Sequence, residues 1–120
     1  MTPFGLFLQD LRREKNLAQK QLAGMLGIDQ SYLSGLESGR KGAPPPAVVL
    51  RLRDALSLNE RDAIGLQHAA EQSRRKLEIP IAAAPSEYAL VHFMFGKLGH
   101  LRPGQVRAIQ EILSLNVVEG

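Results

Sequence analysis

Residues that could make or break bonds are few in this chain, and they are poorly arranged for it. There is no cysteine, which removes disulfides, thiolate zinc ligands and thiol nucleophiles together. His68, His92 and His100 fall at spacings that suit no metal site, so neither a metal nor a cofactor is expected. Gly35, Gly39 and Gly42 lack the Gly-Lys-Ser/Thr ending that a phosphate-binding loop requires. No nucleophile stands with a recognisable base, and no carboxylate pair is placed for acid–base work, so an enzyme is not expected. The chemistry on offer is that of recognition. Amide and hydroxyl groups at Gln19, Gln30, Ser31 and Ser34 precede two cations, Arg40 and Lys41.

The charge distribution points the same way. Of the formal net charge of +3, all lies before residue 81, because residues 81–120 carry three Lys/Arg and three Asp/Glu. A mildly basic head joined to a neutral tail fits an anion-binding module with an assembly or sensing extension. No apolar run is long enough to span a bilayer, and the N-terminus lacks a basic-then-apolar leader, so no membrane role and a cytoplasmic location are expected.

Helices must position these groups. Apolar residues recur at helical spacing and no period-two strand is evident, which predicts an all-α chain. Pro3 opens a first helix with an apolar face of Phe4, Phe7, Leu8 and Leu11, ending near Lys15-Asn16. A second runs from Gln19 to Leu26, with Gly27 as a left-handed cap. Asp29 is suited to N-cap a third that runs to Ser38 and stops at Gly39. A fourth starts at Pro45 or Pro46, and a fifth, capped by Asn59, extends to about Lys76. Ile79 to Pro85 interrupts helical continuity twice and reads as a linker. Ser86 then precedes a helix to Lys97 or Leu98, and Pro103 starts the last, to about Leu115. The expected organisation is a five-helix head over 1–78, a linker over 79–85 and a helical hairpin over 86–120.

The second and third helices fit a helix-turn-helix. Two helices crossing steeply over a short turn need a small residue at the close approach, which Ala23 supplies. The turn needs a residue tolerant of positive φ, which Gly27 is. Leu22, Leu26, Ile28, Leu33 and Leu36 would hold both helices to the core, leaving Gln30, Ser31, Ser34 and Gly35 facing outward. Residues from about Leu11 to Asp54, and above all the string from Gln19 to Arg40, resemble the phage repressor and Cro family of helix-turn-helix (XRE-like) regulators. The likeness rests on Gln19, Leu22-Ala23 and the Glu37-Ser38-Gly39 ending.

That resemblance implies a five-helix repressor-like DNA-binding domain whose third helix enters the major groove of double-stranded DNA. Gln30 would then read adenine with both ends of its amide, and Ser31, Ser34 and Gly35 would complete the base-facing set. Gln19 would clamp a phosphate from the start of the second helix. Arg13, Arg40 and Lys41 would meet phosphates, and Tyr32 would either press on the sugar–phosphate edge or sit half in the core. Arg12 and Glu37 match a structural pair that fixes the third helix to the first. Two departures stand out. Ala18 replaces the usual Ser or Thr cap, at a cost of about 1 kcal/mol. Gly35 stands inside the third helix, at a similar cost of about 1 kcal/mol, where the family often presents a side chain.

The tail is apolar on more than one side: Tyr88, Val91, Phe93, Met94, Phe95 and Leu98, then Val106, Ile109, Ile112 and Leu113. So short a hairpin rarely sustains its own core. The expectation is a homodimer through these residues, setting two recognition helices about 34 Å apart over an inverted repeat. The motif, together with a tail that lacks any acidic activation feature, points to a repressor, and the alternative is an antitoxin-like protein whose hairpin binds a protein partner while the head binds DNA.

Overall fold

The computed structural model describes residues 1–115, and residues 116–120 of the expected hairpin lie outside the described part. Seven α-helices make up its regular structure: α1 (Pro3–Glu14), α2 (Gln19–Leu26), α3 (Gln30–Ser38), α4 (Pro46–Ala55), α5 (Glu60–Gln72), α6 (Pro85–Phe95) and α7 (Pro103–Ser114). There is no strand among the described residues, so the all-α expectation holds. The chain divides into two compact units, Met1–Leu77 and Glu78–Gly120.

In the first unit, α1 packs on α3 and α5, α2 on α3 and α4, and α4 on α5. The core between them is aliphatic, with Phe4 as its one aromatic: Leu8, Leu22, Leu33, Leu52 and Leu66 are completely buried. Each buried leucine contributes about 1.5–3 kcal/mol by leaving water. Phe7, Ile28 and Tyr32 pack on the edge of this cluster, half-buried.

The helix ends of the first unit follow expectation with two exceptions. Thr2 caps α1, its hydroxyl accepting from Gly5 N–H at 3.0 Å, and Asn59 caps α5 by accepting from Asp62 N–H at 2.8 Å. Asn16 (φ 54°) and Ser57 (φ 49°) turn the chain left-handed after α1 and α4. Each turn closes with a six-to-one bond, Leu17 N–H to Arg12 O and Leu58 N–H to Arg53 O, both 3.0 Å. The first exception is Asp29, which holds the extended backbone of an N-cap but accepts no capping hydrogen bond through its exposed side chain. The second is α5, which stops at Gln72 and not near Lys76.

The early stop has a tertiary cause. Ser73 leaves the helix buried, donating to Ala69 O at 2.8 Å and accepting the Phe4 N–H at 2.8 Å. It thereby satisfies one of the unpaired N–H groups at the start of α1. Two residues on, the Arg75 guanidinium donates to the carbonyls of Gly39 and Arg40. The helical path is given up for these two contacts.

The second unit starts α6 at Pro85, so that Ser86, expected to precede the helix, lies inside it, and ends it at Phe95, short of Lys97. Neither α6 nor α7 buries a single side chain. Phe93 is 68% exposed and Leu113 69%, so this unit leaves many of its large apolar residues facing solvent, with Val91, Met94 and Ile109 half-buried. No helix among the described residues is long and apolar enough to cross a membrane.

Candidate nucleic-acid interface

The turn between α2 and α3 is set by one residue. Gly27 adopts φ 67°, ψ 34°, the left-handed cap that a side chain would strain. Ile28 N–H then bonds Ala23 O at 3.1 Å, which closes the turn, and buried Ala23 gives the helices room to approach. At the other end of α2, Ala18 has no side chain to cap with. Instead Gln21 Oε1 accepts the Ala18 N–H at 2.8 Å, so half of a capping box survives.

Glu37 organises the site from beneath. Its carboxylate is almost fully buried and accepts from Arg12 Nε and Nη2, each at 2.9 Å. Gln19 Nε2 donates to the same carboxylate at 3.3 Å, and Gln9 Nε2 to the Glu37 carbonyl at 3.2 Å. Arg12 spends its remaining nitrogen on Leu17 O at 2.8 Å. One carboxylate thus ties α1, α2 and the loop between them to α3. The hydrogen bond to Glu37 raises the Arg12 guanidinium above its ordinary value, with the Glu37 charge adding to it and burial opposing.

The outer face of α3 carries few side chains. Gln30 and Ser31 are exposed, and Ser34 is partly so. Tyr32 leans on the core and keeps part of its ring outside. Arg13 is exposed beside the Arg12 bridge. Gly35, expected on the open outer face, is buried. A Cβ built there would lie 2.9 Å from Arg40 Nη2 and 2.9 Å from Lys41 Cγ, so those two side chains cover it. The Arg40 guanidinium also donates to Ser31 O at 3.4 Å.

Sequence reasoning missed three participants. Gly5 lets α1 approach the end of α3, since a Cβ there would come within 2.5 Å of Glu37 O. Ser73 and Arg75 reach in from the end of α5, and only the tertiary fold brings them near α3. No cluster of three or more His, Asp or Glu residues suitable for a metal occurs among the described residues.

A model of the helix-turn-helix domain family matches residues 3–64, just over half of the chain, and the chain belongs to that family. Two similar proteins come from Bacillus subtilis strain 168. The uncharacterized HTH-type transcriptional regulator RghRB is 40% identical over 58 residues, covering 48% of this chain and 42% of its own length. The HTH-type transcriptional repressor RghR is 38% identical over 58 residues, covering 48% of this chain and 43% of its own. The ImmF control region 10 kDa protein of Bacillus phage phi105 is 44% identical over 36 residues, 30% of this chain and 40% of its own length. The chain therefore spans about two-fifths of the curated relatives it matches. No solved structure is significantly similar to it. Ser73 and Arg75 lie beyond the family-matched span.

Proposed function

We propose that this chain is a transcriptional regulator that binds double-stranded DNA through α2 and α3, acting as a dimeric repressor on an inverted-repeat operator. The observation that carries the reading is the locked α2–turn–α3 pair, held by Arg12 and Glu37 with Gln30 and Ser31 turned to solvent. A rigid helix with a free polar face, flanked by Arg13, Arg40 and Lys41, suits a groove lined by phosphates. The name of RghR, a repressor, supports the sign of regulation.

In this reading Gln30, Ser31 and Ser34 meet base edges, while Gln19, Arg13, Tyr32 and Lys41 meet the backbone. Gln19 keeps one amide hydrogen for a phosphate after bonding Glu37. The chain works by binding, not by catalysis, and the cytoplasm is the compartment that goes with the role. The hairpin supplies the second half-site by self-association through Tyr88, Val91, Phe93, Met94, Phe95, Leu98, Val106, Ile109, Ile112 and Leu113. Its support is the uncovered apolar surface of α6 and α7, which no core of their own accounts for.

The test is a titration of the full chain, at about 150 mM salt, against duplex DNA from upstream of its own gene and against random duplex. Preference for the upstream DNA, lost in Gln30→Ala, is the expected result. Equal binding to both duplexes contradicts sequence-specific regulation.

A further inference from the structure

The position at which the recognition helix lacks a side chain is not empty. Gly35 follows Ser31 by one helical turn, so both lie on the same outer face of α3. Across that face runs the Arg40 side chain, Nη2 at 2.9 Å and Nε at 3.6 Å from where a Gly35 Cβ would stand. Its Nη2 reaches Ser31 O at 3.4 Å. Any side chain at residue 35 would displace it. The glycine is a seat for a guanidinium that comes from beyond the end of the helix.

The origin of that side chain is fixed. Arg40 N–H donates to Ser38 Oγ at 3.3 Å, Lys41 N–H to Gly35 O at 3.0 Å, and Arg75 Nη1 to Arg40 O at 3.1 Å. Arg75 also holds the Gly39 carbonyl. No carboxylate among the described residues pairs with the Arg40 guanidinium, which keeps most of its five donors free.

We infer that Arg40 is a specificity-determining residue: lying over Gly35, its guanidinium takes the base-facing place of the absent side chain and reads a guanine in each half-site. A guanidinium presents two parallel N–H donors that match guanine O6 and N7 in the major groove. Arg75 is the positioning residue, since it anchors the backbone from which Arg40 turns back. This assignment rests on the DNA-binding reading and changes one part of it. Arg40, expected from the sequence to touch phosphate, reads sequence instead.

The experiment recovers bound DNA from a random duplex pool with the full-length protein, Arg40→Ala and Gly35→Ala, and measures the salt dependence of each. The wild-type motif should hold a guanine in each half-site, and Arg40→Ala should lose discrimination at that base pair by about tenfold or more while keeping the rest. Gly35→Ala should lose the same guanine although Arg40 is still present, because the new Cβ pushes the guanidinium off the helix face. The proposal is overturned if the motif survives Arg40→Ala unchanged while binding weakens equally on all sequences and the salt slope falls by about one, the mark of a phosphate contact. A wild-type protein that recovers no preferred sequence overturns the regulator reading as well.

Discussion

Arg12 and Glu37 meet across the α1–α3 contact in a two-point bond, both nitrogen–oxygen distances 2.9 Å, with the carboxylate only 2% exposed. The pair joins α1 to α3, so it transmits the position of α1 to the exposed face of α3. Removing one partner leaves the other charged and poorly solvated. Arg12→Ala should destabilise the fold by about 3 kcal/mol, measured by denaturant unfolding. Its response to pH is also specified. A guanidinium raised above its ordinary value gives stabilisation that is complete below that value and is lost only as pH climbs through the raised one. Unfolding free energy should therefore show no Arg12-dependent loss from neutral pH through the range in which lysines titrate.

Ser73 and Arg75 make a second claim on stability and on order. Ser73→Ala strands the buried Phe4 N–H, and should cost about 1–3 kcal/mol in thermal or denaturant unfolding. Arg75→Ala removes a charged donor from two carbonyls and should speed hydrogen exchange at the Lys41 amide by about tenfold. Exchange at amides inside α1 should not change in that variant. Unaltered exchange at Lys41 would mean that Arg75 holds nothing in solution.

The turn after α4 offers a gain instead of a loss. Ser57 sits at φ 49° where glycine would carry no Cβ penalty. Ser57→Gly should stabilise the fold by about 0.5–1 kcal/mol, read as a shift in the denaturant midpoint with an unchanged slope.

What could be read from the sequence was what obeys local rules. The bounds of α2 follow from Leu22, Ala23, Leu26 and Gly27, whose spacing and backbone demands act within one turn of helix. The start of α3 was equally legible, although Asp29 makes no capping bond there. The end of α5 was not, because Ser73 and Arg75 leave the helix for partners some seventy and thirty-five residues away in sequence. Gly35 shows the same limit within the site. Its position on the outer face was evident from periodicity, but nothing local says that Arg40 would fold back over it. Gly5 was hidden for a similar reason, since its smallness matters only against the carbonyls at the end of α3.

The hairpin is where sequence composition and burial agree on an unmet need for contact. Phe93 and Ile112 are 68% and 65% exposed, an arrangement that water disfavours. Phe93→Ser together with Ile112→Ser should convert a dimer to a monomer in sedimentation equilibrium and leave the unfolding of the first unit unchanged. A wild-type chain that is monomeric at micromolar concentration would remove the dimer from the account.

The central claim is that the α2–α3 unit reads sequence in double-stranded DNA. Its most direct test is the ratio of affinities of the full chain for its selected duplex and for random duplex, at about 150 mM salt. A specific regulator should favour the selected duplex by about a thousandfold or more, and Gln30→Ala should cut that ratio while leaving binding to random duplex unchanged. A ratio near one, with both affinities falling in parallel as salt rises, would contradict the account and leave only non-specific attraction to phosphates.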